Sequence, residues 1–430
     1  MLNERFTVVI DGQPFSKPFQ TEDQFAKGWK SVLEKAYGRT HATCRCPGKG
    51  ERKLAIKRRE TTDDFHLARF AGTGPEHANE CRFYAPAPER SGMQGYEQGV
   101  VEEGDDGTLR VRLARGLLEQ AAKGERADKG IVIYAPTAGT RKPAMTLLGL
   151  LHLLWQEARL NVWYPAMEGK RNSGLIHSAL RQTASRIKVG RMRLSDVLLV
   201  SATPRSKAEV TNEGVVLDAI QRNRRAIAVS PLARFDKNKH DGAVLKLPLA
   251  GPFGMPYLSM PTEVWADTGR RFKQEIAAWK RGDRVMVIAQ LNVEPGKGNT
   301  GARAQVLDLA LMHVSERWIP LDSDYESTLE AKLFGAGRCF EKPLRYDADE
   351  CEFFPDFWLL DMKQDFPVEV FGMSSPEYLA QKARKTQWYD RVYGTEGWWS
   401  WNAAEDPDGL RMLELPCLPV GTADDSNGFR

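Results

Sequence analysis

Histidine is scarce in this chain, 7 in 430 residues, and cysteine is scarcer, at 6. So few cysteines over that length exclude the disulfide-framed scaffolds of small secreted proteins. Net charge is nearly absent: 61 Lys and Arg against 57 Asp and Glu leave +4. Any contact with nucleic acid must therefore come from a local basic patch rather than from the whole surface. Long hydrophobic runs are missing too. The longest, MTLLGLLHLLW, is too short for the roughly 20 apolar residues a bilayer-spanning helix needs, and His152 interrupts it. No basic-then-apolar signal segment opens the sequence, so a cytoplasmic, bacterial-type protein is expected. What is present is ordinary: 42% hydrophobic and 27% charged residues suit folded domains, and the length suits two to four of them.

The pattern along the chain suggests a multidomain α/β protein. Residues 1–40 read as a small α/β unit: a strand over Arg5–Ile10, a hairpin turn at Asp11-Gly12, and a return over Pro14–Phe19. A helix capped by Thr21 then runs to about Tyr37, with Phe25, Trp29, Val32 and Leu33 on one stripe. Residues 41–106 form a zinc-binding region, with KLAIKRR as a strand and a linker or exposed loop from Pro86 to Gly107. Residues 107–206 read as a helical module, with helices over Pro143–Leu160 and Gly174–Val189 and a strand at Val197–Val200. On the second helix Leu175, Leu180 and Ile187 are expected inward. The surrounding Arg171, Arg181 and Arg186 fit a winged-helix-like DNA-binding module or a plain packing unit with a solvated basic face. Residues 207–320 look mainly β, with strands at Ala226–Ser230, Ala243–Leu247 and Arg284–Glu294 and one helix carrying Trp265, Phe272, Ile276 and Trp279. A compact α/β pattern fills 321–406, and 407–430 reads as a loosely ordered tail.

Two tempting motifs fail. LLVSATPR at 198–205 imitates a helicase Ser-Ala-Thr element, and APTAGTRK at 135–142 imitates a phosphate loop. Yet Lys142 is followed by Pro143, which has no amide hydrogen, and Lys297 of PGKGNTG is followed by Gly298. With no acidic box before the Ser-Ala-Thr run, an ATPase is excluded.

Cys44, Cys46, His77 and Cys81 make C-x-C-x30-H-x3-C. Three thiolates and an imidazole are a tetrahedral zinc set, and four protein ligands leave no open position, so the expected role is structural. The alternative is buried free thiols beside a surface histidine. His41 and His66 are substitute ligands, and Lys57 and Arg58 nearby are candidate phosphate contacts.

The C-terminal region carries the most readable chemistry. Ser323 followed by Glu326 is a capping box opening a helix with Leu329 and Leu333 inward. Pro355-Asp356 leads into a strand FWLLDM, Lys363-Gln364-Asp365 turns, and Pro367–Phe371 returns. Ser375-Pro376 opens a further helix, on which Tyr378, Lys382, Lys385 and Tyr389 share one face. Glu369 stands between two valines on an apolar strand, a costly place for a carboxylate unless it is paired or metal-bound. Asp356 and Glu369 can together hold Mg²⁺ or Mn²⁺ against a phosphate, where the metal lowers the pKa of water and screens developing charge.

Residues 323–393 resemble the PD-(D/E)XK nuclease superfamily, the restriction-endonuclease-like fold: Pro355-Asp356 matches its PD element and Glu369 its second acidic position. The usual lysine two residues further on is Phe371 here. The resemblance implies that a lysine on the following helix takes its place, as in some members, with Lys382 preferred over Lys385. It also implies that Glu326 completes the metal shell, with Glu330 as substitute; the cap alone is the other reading of Glu326. The whole chain further resembles an uncharacterised bacterial family associated with conjugative plasmids and integrative elements, through CRC…HANEC, LLHLLWQEARLNVWYP…GKR and WIPLDSDYE…FPDFWLLD…VEVFGM. The expected function is a metal-dependent nuclease or nuclease-like DNA-processing protein. The alternatives are a non-catalytic DNA-binding or scaffolding protein on the same fold, favoured by Phe371, and an adaptor docking through Trp398, Trp399 and Trp401.

Overall fold

The computed structural model describes residues 5–59, 64–69, 73, 76–78, 81, 83, 100–104, 108–117, 144–242, 244–296, 301–344, 355–373 and 376–419. Most of the expected linker, the 135–142 motif, residues 297–300, Ser375 and the last residues of the tail lie outside them, as do the side chains of Lys57 and His66. The described residues form a mixed α/β protein of several sheets, gathered in two compact units. The first unit draws on 1–114, 142–145 and 183–194, the second on 115–141, 146–182 and 195–430.

In the first unit, β1 (Val8–Ile10) and β2 (Gln13–Phe15) form the expected hairpin. Asp11 and Gly12 both take positive φ, 49° and 78°, which matches the twist of the flanking strands. The helix begins sooner than expected. Pro18 stands in the first turn of α1 (Lys17–Thr21), so Thr21 ends that helix instead of capping the next, α2 (Ala26–Ala36). With β3 (Ala42–Cys44), β4 (Lys53–Arg59, the KLAIKRR run) and β5 (Asp64–Arg69), the sheet order is β2-β1-β3-β4-β5. Val8, Ile10, Leu33, Leu54 and Ile56 share its core with Cys44, Cys46 and Cys81. A second sheet, β10-β9-β7-β6, joins β6 (Val101–Glu103), β7 (Leu109–Val111), β9 (Ile187–Val189) and β10 (Met192–Arg193). Ile187–Val189, expected as a helix end, is a strand because its inward residues recur every second position and pair in parallel with β7. β6 likewise lies inside the expected linker.

The second unit opens with α3 (Leu147–Glu157), capped by Thr146, whose Oγ1 accepts from the Gly149 amide at 3.0 Å. It is buried on nearly every side, as its unbroken apolar run demands. β8 (Val162–Trp163) and α4 (Ser173–Ala184) follow. Ile176 and Leu180 form the buried stripe of α4, while Leu175, expected inward, is 47% exposed. The expected module 107–206 is thus divided: β7, β9 and β10 belong to the first unit, α3 and most of α4 to the second.

The next sheet, β11-β12-β14-β15-β13, is built from β11 (Leu198–Val200), β12 (Ala226–Pro231), β13 (Tyr257–Ser259), β14 (Arg284–Glu294) and β15 (Arg303–Val314). Helices α5 (Lys207–Gln221), α6 (Lys237–His240), α7 (Thr262–Arg271) and α8 (Lys273–Arg281) are interleaved, so 207–320 is less purely β than its sequence suggested. The expected helix around Trp265 breaks at Phe272 (φ −118°, ψ 52°), and the expected strand 243–247 shrinks to a bridge between Lys246 and Ser259.

The last sheet carries the chemistry. α9 (Asp324–Gly335) precedes an antiparallel meander of β16 (Phe340–Glu341), β17 (Phe357–Leu359) and β18 (Phe366–Val370). α10 (Pro376–Tyr393) then returns the chain to β19 (Trp399–Trp401), parallel to β18. β8 closes the far edge against β16, giving the order β19-β18-β17-β16-β8. Leu329 and Leu333 of α9 cluster with Phe340, Phe357, Val368 and Trp401. The tail to residue 419 is tied to the sheet at two points though Leu410, Leu413 and Leu418 stay exposed: Trp399 Nε1 donates to Glu414 O at 3.1 Å, and Arg338 Nη1 to Pro416 O at 2.8 Å. No helix among the described residues is long and apolar enough to cross a membrane.

Candidate metal centre and acid–lysine site

Cys44 ends β3, and Cys46 follows where Pro47 turns the chain. Gly48 allows that knuckle to lie against residues 76–78: a Cβ there would stand 2.2 Å from Glu76 O and 2.6 Å from Ala78 N. His77 and Cys81 approach from a short turn closed by Cys81 N donating to Ala78 O at 2.8 Å. One ligand atom from each of Cys44, Cys46, His77 and Cys81 lies within 4.8 Å of all the others, and all four residues are buried. Cys44 Sγ stands 3.8 Å from Cys81 Sγ, and His77 Nδ1 is 3.5 Å from Cys46 Sγ and 3.6 Å from Cys81 Sγ. The hydrogen bond from Cys81 pulls the Cys44 thiol down to about 4, while burial pushes Cys46 up. The arrangement is close enough to bind a metal ion, and its donor chemistry is that of a closed, structural zinc site.

The second site forms where β17 and β18 run side by side. Phe357 pairs with Val368, so one further step of the register sets Asp356 opposite Glu369. Asp356 Oδ2 accepts from the Val370 amide at 2.7 Å, which fixes the aspartate against the next strand. Glu369 is 2% exposed, and α10 covers it: Lys385 Nζ lies 2.7 Å from its Oε1, and Tyr389 Oη donates to the same oxygen at 2.5 Å. Trp398 stacks on Tyr389 with centroids 5.0 Å apart. A second charged group sits beneath α9. Ser323 Oγ accepts from the Glu326 amide at 3.2 Å, and Glu326 Oε2 accepts from the Asp322 amide at 3.0 Å. The same Oε2 is 2.8 Å from Lys342 Nζ, which also reaches Asp322 at 2.9 Å.

Four carboxyl groups, Asp322, Glu326, Asp356 and Glu369, stand near two ammonium groups, and burial together with these neighbours sets which of the acids ionise. Burial and then Asp356 push Glu369 up to about 8, against the pull of Lys385 and Tyr389. Burial lifts Glu326 to about 8 against the pull of Lys342, with Asp322 and Asp356 adding to the rise. Burial disfavours the Lys342 ammonium, but Asp322, Glu326 and Asp356 outweigh it and hold that group above the ordinary lysine range. Among the described residues the Cys44, Cys46, His77 and Cys81 set is the group close enough to hold a metal; Glu326, Asp356 and Glu369 do not gather in that way, and Lys342 and Lys385 stand on two of them.

These shifts predict a pH dependence. Glu326 and Glu369 bind protons more tightly folded than unfolded, so their contribution is fully present below about pH 4.5 and lost as the pH rises to about 8. Without divalent cations, stability should fall as the pH rises across that window. Magnesium should flatten the slope. Thermal unfolding against pH, with magnesium and with chelator, reads this directly; a chelated protein whose Tm is level across the window contradicts it.

The structure brings together Glu326, Asp356, Glu369 and Lys385 of the residues singled out in the sequence. Lys382 is not at Glu369: its ammonium lies over the Phe371 ring, 4.8 Å from the centroid. Lys385, one turn further along α10, holds that place. Glu330 is engaged elsewhere, with Arg317 and with Ser315 Oγ at 3.1 Å. Arg171 faces no solvent phosphate, because its guanidinium donates to the carbonyls of Val162 (2.6 Å), Arg317 (2.7 Å) and Arg159 (3.2 Å), and burial lowers it to about 10. Arg181 donates to Asn212 Oδ1 at 2.9 Å, whereas Arg58 and Arg186 are exposed in the first unit. Trp399 and Trp401 are buried in β19, so they pack the sheet rather than offer a docking surface. Lys342 and Tyr389 were missed as site residues. Lys342 follows directly on Phe340-Glu341 at the end of β16, but nothing local marks its pairing with a helix 16 residues earlier.

A helix, a three-stranded meander, a second helix and a parallel fourth strand, with acids at adjoining strand positions and a lysine from the second helix, define an α/β protein with a charged site at one sheet. The chain belongs to the family described as "Protein of unknown function (DUF1173)", whose model matches residues 19–404. No curated protein and no solved structure matches it.

Proposed function

We propose that this protein is a metal-dependent nuclease of the PD-(D/E)XK type, processing DNA, with a structural zinc at Cys44, Cys46, His77 and Cys81. The observation that carries the nuclease reading is the placement of Lys385 on Glu369, opposite Asp356. It supplies from α10 the ammonium that Phe371 denies to β18. A divalent cation held by Asp356 and Glu369 supplies, when bound, Lewis acidity toward water and phosphate. The rest falls to the chain's own residues. Lys385 places its Nζ beside Glu369 and can donate to a phosphate oxygen. Tyr389 and Lys385 both hold the Glu369 carboxylate through Oε1. The Val370 amide fixes one Asp356 oxygen in the same way. Glu326 and Lys342 extend the charged surface beneath α9. The resemblance to a family of conjugative plasmids and integrative elements supports service to such an element.

Incubating the protein with single-stranded DNA, duplex DNA and RNA in Mg²⁺ or Mn²⁺, beside a chelated control, tests the reading. Cleavage that appears with metal and vanishes with chelator is expected. Nucleic-acid binding without cleavage under every metal condition leaves a binding protein that has kept the fold.

A further inference from the structure

The basic residues that the sequence pointed to are dispersed, and one of them, Arg171, is taken up by three backbone carbonyls. Cationic groups gather instead at a cleft of about 820 Å³ in the second unit, between residues 233–240 and 244–252. Arg234, Lys237, Lys239 and Lys246 line it against a single carboxylate, Asp236, which is itself paired with Lys239 at 3.3 Å. Arg234 and Lys237 are exposed and have no ion-pair partner among the described residues. Lys246 is exposed too, its ammonium 5.3 Å from the Tyr257 ring centroid. The remaining lining is His240 together with apolar residues, among them Phe235, Val244, Leu247 and Leu249, with Leu245 67% exposed at the rim. Cations over an apolar, partly aromatic floor match a flexible strand that offers phosphates and unstacked bases together. A duplex, which hides its bases, has no use for the floor.

One wall is tied by side-chain contacts to the helix that opens the acid–lysine site. Trp279 of α8 donates from Nε1 to Ala233 O at 2.6 Å and packs edge-on against Phe235. Lys280 reaches Asp241 at 3.2 Å. The next residue, Arg281, reaches Asp324 at 2.6 Å, in the first turn of the helix that carries Glu326. Three consecutive residues of α8 thus hold the cleft wall and the start of α9. We propose that this cleft binds a single-stranded nucleic acid through its phosphates and delivers it to the acid–lysine site. Delivery rests on the nuclease reading; binding does not.

Fluorescence anisotropy of a labelled single-stranded oligonucleotide tests it, using the full chain and the triple variant Arg234→Ala, Lys237→Ala, Lys246→Ala. The variant should bind at least about tenfold more weakly, and the slope of log K against log salt should shrink by about 2, near 0.7 for each lost contact. Lys27→Ala, Lys30→Ala, Lys35→Ala, on exposed lysines of the first unit, should bind as wild type. Wild-type affinity and salt slope in the cleft variant, with fold verified by circular dichroism, would overturn the cleft and leave the nuclease reading standing. Binding lost in the cleft variant with no cleavage by wild type would keep the cleft and remove the nuclease. Tighter binding of duplex than of single strand, or no binding of either, overturns the proposal.

Discussion

Asp356→Ala and Glu369→Ala should each lower metal-dependent cleavage by at least about a thousandfold, the several kcal/mol of transition-state stabilisation that a positioned cation contributes. Lys385→Ala should come close to the same loss, whereas Lys382→Ala should stay within a few-fold of wild type, because its ammonium sits over Phe371 rather than at Glu369. The pair of lysines makes the test discriminating. Both stand on the same face of α10, so a loss through surface charge alone would affect them alike. A Lys382 variant as inactive as the Lys385 variant would refute the geometric assignment. Glu369→Ala also leaves Lys385 and Tyr389 beside an apolar gap, so its folding should be checked by thermal unfolding, and Asp356→Asn offers a milder probe at a half-buried position.

Removal of the proposed zinc should unfold the sheet of the first unit that carries the thiols. Structural zinc in small sites contributes about 10–16 kcal/mol of apparent binding energy at neutral pH, as much as the whole stability of many domains. Cys44, Cys46 and Cys81 lie within that unit's core, packed with Val8, Ile10 and Leu54, so loss of the metal leaves competing thiols in apolar surroundings rather than at a surface. Metal analysis should find one zinc per chain. Stripping it, or making Cys44→Ser or Cys81→Ser, should collapse hydrogen-exchange protection across residues 8–10, 42–44 and 53–59 while leaving residues 284–314 protected. Protection that survives stripping would favour ordinary buried thiols.

Legibility in the sequence followed how local the determining interaction was. The Asp11-Gly12 turn, the KLAIKRR strand, the Ser323 cap and the strands on either side of Lys363-Gln364-Asp365 depend on near neighbours, and they form close to where they were read. The four metal-centre residues were legible because their types have few competing explanations. Ile187–Val189 was misread because its partner, β7, lies more than 70 residues earlier, and an apolar run of that length fits helix or strand equally well. Lys385 was ranked second because spacing on a helix shows a face but not how far a given turn stands from the strand beneath it. Lys342 was invisible for a stronger reason: a lysine two residues past a phenylalanine is unremarkable until Asp322 and Glu326 arrive from another element.

The edge strand β8 has a consequence for when this protein becomes whole. Val162 and Trp163 pair with Glu341 and Phe340, and behind them Asn161 donates to Lys342 O at 2.8 Å. During synthesis at about 5–20 residues per second, this short strand emerges roughly ten seconds or more before the last strand of its sheet. Until then the newborn chain must shelter an apolar stub with no partner, and a fragment beginning at residue 321 would meet the converse problem, an open flank on β16 inviting a neighbour's backbone. Evolutionary shuffling of the charged sheet as a cassette is therefore hindered: whatever travels must bring the segment around residue 162 with it.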